Sequence, residues 1–240
     1  MLIASVPSQL WDENCYVLAL AAPGPAVVVD PGFGVADRIA SLAAEHGLQP
    51  VAVLVTHGHI DHVADAAAVA DRYGVACHLH PAERRLLSKP GAGLDPLGAA
   101  FVADLLGRRR LSEPAKVELV GDRDELELAG LTWRALLAPG HRPGCLIYTV
   151  DTPKGRVAFT GDVLFAGAIG RTDLPGGSSR DMVRSLRDVV LGPPGSAPGS
   201  AVPPHLPPDS IVLPGHGPTT TMAAERRSNP YLQASFLEAA

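Results

Sequence analysis

Short apolar runs of strand length follow one another along most of the chain, and turns rich in Gly, Pro and Asp separate them. These runs predict strands at residues 14–20, 26–29, 51–55, 75–79, 117–120, 131–137, 146–150, 157–160 and 211–213. Apolar residues at helical spacing predict helices at residues 35–46, 64–73, 81–88, 97–106 and 179–190. Gly47 and Gly74 directly follow two of these helices, at a position where glycine commonly ends a helix.

The order of the predicted elements indicates the fold class. Strand-rich and helical stretches alternate twice along the chain, which fits two β-sheets packed together with helices outside them. No internal repeat or linker divides the sequence, so we expect one domain over residues 1–240. Residues 192–208 consist mainly of Pro, Gly, Ser and Ala. We expect this segment to be a mobile surface insertion, because it cannot bury an apolar face.

The composition of the chain argues against several classes of function and location. The net charge of −5 and the lack of a basic block argue against a nucleic-acid partner. No run approaches the ~20 apolar residues of a membrane span, and the first ten residues do not resemble a secretory signal. The three cysteines, Cys15, Cys77 and Cys145, are widely spaced and form no CxxC pair. A protein with a reducing, cytoplasmic location and no membrane partner is therefore expected.

One short segment is concentrated in metal-binding side chains. The sequence Thr-His-Gly-His-Ile-Asp-His begins at Thr56, directly after a predicted strand, and places His57, His59, Asp61 and His62 within six residues. Imidazole and carboxylate groups are the ligands that zinc-like and iron-like ions prefer. On a loop, the histidines at i and i+2 can turn to one ion, while Asp61 and His62 point to a neighbouring position. The alternative, a polar loop that is His-rich by chance, is much less favoured.

Three further candidate ligands follow predicted strands and have turn-forming neighbours. They are His141 after Pro-Gly, Asp162 after Gly161, and His216 between Pro-Gly and Gly-Pro. Each signal is weak alone, since a histidine after a turn is often a surface residue. Together with the first segment they supply enough ligands for two metal ions. His46, His78, His80 and His205 lack such a context and are interpreted as structural or surface residues.

The full set of ligands resembles that of the metallo-β-lactamase superfamily. The resemblance extends from Asn14-Cys15-Tyr16 and Asp30-Pro31-Gly32 to the C-terminal region. It implies an αββα sandwich of two mixed β-sheets, with the site at one edge between the sheets. It also implies that His57, His59 and His141 bind the first metal, that Asp61, His62 and His216 bind the second, and that Asp162 bridges them.

Longer motifs resemble one branch of the superfamily. The stretches 160–177 and 214–220, with Glu225-Arg226 and Asn229-Pro230 after them, are similar to compact glyoxalase II-like thioesterases. The motif containing Arg171 and Asp173 is also similar to persulfide dioxygenases, which keep a single iron. The chain departs from classical glyoxalase II because only 24 residues follow His216, which leaves no room for its C-terminal helical domain. Arg142 also departs, since the family often has a small polar residue there.

The resemblance implies hydrolysis of S-2-hydroxyacyl thioesters, with a small-molecule substrate such as S-lactoylglutathione or another thiol-carrier conjugate. Two metals roughly 3.5–4 Å apart can lower the pKa of a bound water towards ~7, so that metal-bound hydroxide attacks the thioester carbonyl. We expect Asp61 and Asp162 to be the catalytic carboxylates. Zinc is the expected metal, and iron or manganese also suits these ligands. The alternatives are an iron-dependent persulfide dioxygenase, hydrolysis of a lactone, lactam or phosphodiester, and a non-enzymatic metal-stabilised scaffold.

Several residues near the motifs have a structural and a functional interpretation. Arg171 and Asp173 could line the rim of the site, but an ion pair that fixes the loop after Asp162 is favoured. Glu225, Arg226 and Asn229 could contact a substrate tail, but a helix-capping cluster is favoured. Cys145 has no activating partner in the sequence, so we expect it to pack as a small apolar residue at the start of a strand and not to act as a nucleophile.

Overall fold

The computed structural model describes residues 1–107, 111–192 and 206–238. Residues 193–205, which make up most of the insertion expected at 192–208, therefore lie outside the described residues, as does His205. In the described part of this segment, Leu206 is fully buried against the second sheet.

The first sheet contains six strands in sequence order. Its strands are β1 (Leu2–Pro7), β2 (Asn14–Ala19), β3 (Gly24–Val29), β4 (Leu48–Leu54), β5 (Cys77–Leu79) and β6 (Val117–Leu119). Strands β1 to β3 are antiparallel, whereas β3 to β6 run parallel to one another. The parallel part places the carboxyl ends of β3 and β4 at the same edge of the sheet, so the segments after Val29 and Leu54 start side by side.

The second sheet is also six-stranded and mixed. Its strands, in spatial order, are β12 (Thr220–Thr221), β11 (Ile211–Pro214), β10 (Gly155–Gly161), β9 (Leu146–Thr152), β8 (Leu131–Leu137) and β7 (Glu125–Leu128). Only β10 and β11 are parallel neighbours, and the other pairs are antiparallel. Strands β8, β10 and β11 consequently point the same way, so their carboxyl ends share one edge.

Eight α-helices accompany the sheets in the described part of the chain. They are α1 (Ala36–His46), α2 (Ile60–Val63), α3 (Ala66–Tyr73), α4 (Arg84–Ser88), α5 (Pro96–Leu105), α6 (Ser179–Ser185), α7 (Met222–Ser228) and α8 (Ala234–Leu237). A π-helical turn, Leu186–Val190, continues α6, and short 3₁₀ turns precede α4 and α5. No helix among these is both long and apolar enough to cross a membrane.

Three layers of buried apolar side chains hold the sandwich together. The central layer lies between the sheets and includes Leu18 and Val29 from the first sheet and Trp133, Tyr148 and Phe159 from the second. A second cluster joins the outer face of the first sheet to α1 and α3, and a third joins the outer face of the second sheet to α6 and α7. The structure therefore confirms the expected αββα sandwich of two mixed sheets flanked by helices.

Strand β8 shows how the sequence pattern produces a strand with two different faces. Leu131, Trp133 and Ala135 point inward and are buried, whereas Thr132 and Arg134 point outward. The outward residues pair across the strand with acidic residues of β7, such as Arg134 with Glu125 at 2.7 Å. This alternation is the period-two pattern expected of a strand with one solvated face.

The sequence predictions differ from the structure at several boundaries. The helix expected at 64–73 corresponds to α3, which begins two residues later, at Ala66. The separate short helix α2, which begins inside the histidine-rich segment at Ile60, was not predicted. Strands β1 and β7 were not predicted, and both are short strands with many half-buried or exposed residues. Helix α5 matches its prediction to within one residue at each end.

Candidate metal centre

Ring nitrogens of three histidines meet at one edge of the sandwich, between the two sheets. His57 and His59 follow β4 of the first sheet, and His141 follows β8 of the second. Nδ1 of His59 lies 3.1 Å from Nε2 of His57 and 2.7 Å from Nε2 of His141. All three side chains are buried, with exposed fractions of 4% or less. We call these residues the three-histidine group.

A second set of donors lies beside the first. Nε2 of His216, after β11, lies 3.2 Å from Oδ2 of Asp61, and Nε2 of His62 lies 3.8 Å from the same oxygen. Asp61 and His62 belong to α2, which follows His59 directly. The groupings Asp61, His62, His216 and His57, His62, Asp162 each have ligand atoms within 4.8 Å of one another.

Asp162, at the end of β10, contacts members of both sets. Its Oδ2 lies 3.4 Å from Nε2 of His141 and 3.7 Å from Nε2 of His216. Its Oδ1 lies 3.3 Å from Nε2 of His62. The structure therefore brings all seven sequence-predicted ligands together, and it places Asp162 between the three-histidine group and the Asp61, His62, His216 group.

The outward-facing ring nitrogens of all five histidines have hydrogen-bond partners. In four of the five pairs the acceptor is a carbonyl or carboxylate oxygen, which can only accept. In the fifth pair it is Thr56 Oγ1, which donates its own proton to Asp30. Each outward ring nitrogen is therefore a donor. The pairs are His57 Nδ1 with Thr56 Oγ1 (3.1 Å), His59 Nε2 with Gly93 O (3.1 Å), His62 Nδ1 with Asp30 Oδ2 (3.0 Å), His141 Nδ1 with Arg171 O (2.7 Å) and His216 Nδ1 with Trp11 O (3.1 Å). These bonds fix the tautomers, so in each neutral ring the inward nitrogen carries a lone pair.

Burial controls the protonation of the three-histidine group. Burial, reinforced by the neighbouring histidines, lowers the pKa of His57 well below its ordinary value. Burial also lowers the pKa of His59 to about 3. Both rings are consequently neutral near neutral pH, which is the form that binds metal ions.

Charge controls the protonation of the other set. Burial alone would raise the pKa of Asp162, but His62, His141 and His216 outweigh it and lower the pKa. Burial alone would lower the pKa of His62, but the carboxylates of Asp162, Asp61 and Asp30 outweigh it and raise the pKa. His216 follows the same pattern, since its pKa is raised despite burial by Asp61 and Asp162. This set therefore favours bound positive charge, either as protons or as a metal ion.

Two buried atoms support a metal rather than a set of internal hydrogen bonds. Within the described residues, Nε2 of His62 and Oδ1 of Asp162 are buried and lie 3.3 Å apart, yet neither atom makes a hydrogen bond. Buried polar atoms rarely remain without a partner unless an ion or water satisfies them. In the three-histidine group, lone pairs are directed at one another across 2.7–3.1 Å, an arrangement that a shared cation would stabilise. The residues present therefore fit divalent metal ions.

Glycines allow the backbone to approach the ligands closely. A Cβ on Gly215 would lie 2.4 Å from Oδ1 of Asp162 and 2.6 Å from Cε1 of His62. A Cβ on Gly170 would lie 1.9 Å from the Asp162 carbonyl oxygen. Such contacts are too short for any side chain. The glycines before His216 and Arg171 are therefore required by the packing around Asp162.

Sequence reasoning did not identify the residues that hold the histidines. Asp30 was noted only as part of a turn, yet its carboxylate accepts hydrogen bonds from Thr56 N at 2.7 Å and from Thr56 Oγ1 at 2.6 Å as well as from His62. Its backbone has φ 51°, an uncommon value for a residue other than glycine. The sequence offered one usable signal, an acidic residue directly after a buried parallel strand. Backbone carbonyl acceptors such as Gly93 O cannot be identified from the residue type, because every residue has one.

The other candidate residues take structural positions. Arg171 and Asp173 form an exposed ion pair with Nε to Oδ1 at 2.6 Å, in agreement with the favoured interpretation. Glu225 is buried and accepts from Thr220 Oγ1 and Asn229 Nδ2. Arg226 donates to two backbone carbonyls, those of Leu191 and Leu206.

The remaining cysteine and histidine candidates lie outside the metal-ligand groups. Cys145 is 1% exposed, directly before β9, and burial raises its pKa well above the ordinary value. His46 and His80 are partly exposed, whereas His78 is buried with Nδ1 3.5 Å from Oε2 of Glu118. None of these three histidines belongs to the grouped ligands of the described chain.

Comparisons with known proteins identify the same architecture. Residues 9–196 match the family model of the metallo-beta-lactamase superfamily. An uncharacterized protein of Mycobacterium tuberculosis is 42% identical over 237 residues, which cover 97% of this chain and 98% of the relative. Hydroxyacylglutathione hydrolase GloC of Haemophilus influenzae is 31% identical over 235 residues, covering 98% and 99% of the two chains.

Solved structures agree with the sequence relatives. The BLEG-1 B3 metallo-beta-lactamase has a TM-score of 0.79 and 31% identity, covering 97% of this chain and 100% of that one. TTHA1623 in a di-iron-bound form has a TM-score of 0.71 and 31% identity, with coverage of 95% and 100%. ETHE1 from Myxococcus xanthus has a TM-score of 0.70 at 23% identity, with coverage of 96% and 84%, and shares the fold.

Proposed function

Since the chain belongs to the metallo-β-lactamase superfamily, we propose that it is a metal-dependent thioesterase of the glyoxalase II type. Its substrate is an S-2-hydroxyacyl thioester, either S-lactoylglutathione or a conjugate of another small thiol carrier. In this proposal His57, His59 and His141 hold one divalent ion, Asp61, His62 and His216 hold the other, and Asp162 serves both. Zinc is the expected ion.

One observation carries the proposal. Five histidines from three segments of the chain each donate their outward ring proton to an oxygen of the protein and direct the other nitrogen to a common centre. Outer hydrogen bonds of this kind orient metal-binding histidines and raise their affinity for the ion. A cluster with a purely structural purpose would not need two groups of three donors with Asp162 in contact with members of both.

The chemistry needs few further groups. When bound, a pair of divalent ions supplies activated water near neutral pH and polarises a carbonyl oxygen. The carboxylate of Asp162 lies within 3.7 Å of ring nitrogens from both groups and is placed to accept a hydrogen bond from water between them. A thiolate is a good leaving group, so the reaction does not require a strong general acid.

The exposure of the ligands indicates the side from which a substrate enters. The side chain of His216 is 27% exposed, whereas those of Asp61 and Asp162 are 6% and 10% exposed and those of His62 and His141 are at most 3%. Phe165 lies edge-on to His216 with ring centroids 5.9 Å apart. The substrate is therefore expected to approach over His216, which contacts Phe165 and the backbone carbonyl of the exposed Trp11.

The thioester substrate is supported by the relative named hydroxyacylglutathione hydrolase, which matches this chain over nearly its whole length. The name of the M. tuberculosis relative gives no activity, and another relative, YqgX of Bacillus subtilis, is named only a probable metallo-hydrolase. The di-iron form of TTHA1623 supports a two-metal site in this branch and keeps iron as an alternative to zinc.

Lactam hydrolysis is the second candidate. It is favoured by the likeness to BLEG-1, which is named a B3 metallo-beta-lactamase. The persulfide dioxygenase alternative receives less support, because ETHE1 shares only the fold at 23% identity. A mononuclear site would also leave the Asp61, His62, His216 group without a purpose.

Turnover of S-D-lactoylglutathione and of a chromogenic cephalosporin by the metal-loaded chain tests the proposal. We expect thioester hydrolysis that is lost on chelation and is restored by adding the metal. Fast cephalosporin hydrolysis with no thioester turnover would replace the first candidate by the second. Turnover of neither compound by a chain carrying two metals per molecule would exclude both as the main activity.

A further inference from the structure

Glu83 joins segments that are far apart in the sequence. It lies at the end of the 3₁₀ turn Pro81–Glu83, and its side chain is completely buried. Its Oε2 accepts hydrogen bonds from Gly58 N at 3.1 Å and from Nε of Arg142 at 3.1 Å, and its Oε1 accepts from Gly144 N at 3.0 Å. Both oxygens are therefore satisfied by donors from the loops that carry the three-histidine group.

Arg142 extends this connection to a third loop. It directly follows the ligand His141, and its side chain is 8% exposed. Besides its contact with Glu83, its Nη1 donates to the carbonyl of Pro175. The same loop supplies Arg171 O, the acceptor for Nδ1 of His141. Arg142 thus fixes both the loop of His141 and the loop that orients its ring.

Glycines mark how closely the chain packs around this pair. A Cβ on Gly144 would lie 2.7 Å from Cγ of Glu83, and one on Gly176 would lie 2.6 Å from Nη1 of Arg142. A Cβ on Gly58, between His57 and His59, would lie 3.1 Å from the carbonyl oxygen of Glu83. Gly144 and Gly176 therefore leave no room for a side chain against the pair, and Gly58 allows a close approach to the Glu83 backbone.

We propose that the buried pair Glu83–Arg142 is a positioning device that sets the separation between the His57 and His59 loop of the first sheet and the His141 loop of the second. The inference rests on the proposed metal centre. Glu83 and Arg142 are positioning residues, since their described contacts are with loops and not with the inward ligand atoms.

The physical argument for positioning is that a buried ion pair contributes little net stability. Desolvation of the two charges offsets much of their attraction, so apolar residues of similar volume often stabilise a core as well. A buried pair does impose a specific geometry, because removing one partner leaves the other charge unpaired. Here that geometry determines whether His141 Nε2 can lie 2.7 Å from His59 Nδ1.

Metal binding by full-length variants tests the proposal without requiring a substrate. The variants are Glu83→Gln, Arg142→Lys and, as a matched control, Glu225→Gln. Glu225 is another buried carboxylate, 3% exposed, that accepts from a backbone N–H (Gly167, 2.8 Å) and a side chain (Asn229, 2.8 Å). Stepwise zinc dissociation constants are measured by chelator competition, the cobalt-substituted site by its absorption spectrum, and the metal-free fold by its melting temperature.

We expect Glu83→Gln to weaken zinc binding at the three-histidine group by about 10–100-fold and to change the cobalt spectrum, as outer-shell substitutions do. Arg142→Lys should show a smaller loss, because it keeps a positive charge beside Glu83. A loss is still expected, because a single ammonium group cannot replace a guanidinium that contacts both Glu83 and Pro175. Glu225→Gln should lower the melting temperature while leaving the affinity and spectrum of the three-histidine group unchanged.

Three results would overturn the inference, and they can be told apart. If Glu83→Gln melts earlier but binds zinc like the unchanged chain, the pair is only structural. If Glu83→Gln does not fold, Arg142→Lys decides the question by the same affinity and spectral measurements, and unchanged values there would also reject positioning. If the unchanged chain binds no zinc, iron or manganese, the proposed function fails, and this inference fails with it.

Discussion

Oδ2 of Asp30 lies 3.0 Å from Nδ1 of His62 and 2.6 Å from Oγ1 of Thr56, and Thr56 Oγ1 in turn lies 3.1 Å from Nδ1 of His57. One carboxylate at the end of β3 therefore orients one histidine from each proposed metal position, His62 directly and His57 through a hydroxyl. Asp30 is 2% exposed, so water competes little with these bonds.

Replacing Asp30 by Asn should weaken the binding of both metals. The Asn side-chain amide lacks the negative charge that supports His62. It also has only one oxygen, whereas both oxygens of Asp30 accept hydrogen bonds from Thr56. We expect metal affinity to fall by about 10–100-fold. Chelator competition measures this change. Asp37→Asn is the control, because Asp37 pairs with Arg72 but its side chain is 92% exposed. An Asp30→Asn chain with unchanged affinity would show that its carboxylate does not support the ligands.

Replacing Asp162 by Ala should lower both metal content and activity. Asp162 contacts ring nitrogens from both groups, so its loss removes an oxygen donor from each position. We expect about one metal per chain instead of about two, and thioesterase activity reduced by at least about 100-fold. Elemental analysis after dialysis gives the metal content. Full loading of the variant would remove the shared role of Asp162.

Adding one methyl group at Gly215 should disturb the centre. The new Cβ would overlap Oδ1 of Asp162 and Cε1 of His62, and overpacking of this kind costs about 1–3 kcal/mol. Gly215→Ala should therefore bind metal more weakly and melt earlier. Gly121→Ala provides the comparison, since its Cβ would lie 3.5 Å from the nearest heavy atom, an ordinary contact. Equal melting temperatures and metal affinities in the two variants would contradict the packing described for Gly215.

The metal-free chain should lose stability as the pH rises above about 6.5. The pKa values of His62 and His216 are raised above their ordinary value of 6.5, so the folded chain holds protons that the unfolded chain releases. Their stabilising contribution is complete below the unfolded pKa and disappears as the pH rises through the folded pKa. Bound metal replaces these protons and should abolish the decline.

Melting temperatures of the chelated and metal-loaded chain at about pH 6.5 and about pH 8.5 test this expectation. We expect the difference between the two forms to grow with pH. A metal-free chain that melts at the same temperature at both pH values would show that His62 and His216 are not held in their protonated forms.

The seven proposed ligands could be predicted from the sequence because each signal is local. His57, His59, Asp61 and His62 are adjacent in the chain, and His141, Asp162 and His216 each follow a recognisable strand and turn. The sheets were predictable for a similar reason, since the C-terminal halves of strands such as β3 and β4 are continuous apolar runs. Strand β7 was missed because its alternating acidic and apolar residues are only half buried.

The residues that support the ligands could not be predicted in the same way. Glu83 lies 25 positions from Gly58 and 59 from Arg142, and only the fold shows that these residues meet. The acceptors for His59, His141 and His216 are backbone carbonyls, which every residue possesses. Tertiary packing, rather than residue type, selects the carbonyls of Gly93, Arg171 and Trp11.

The number of metal ions bound per chain tests the proposed centre most directly. The metal-free protein is titrated with zinc, and bound metal and S-D-lactoylglutathione hydrolysis are measured at each addition. We expect binding to saturate at two ions per chain, with hydrolysis reaching its maximum only when both positions are filled. Saturation at one ion, or binding of none, would contradict a centre in which Asp162 serves two metals.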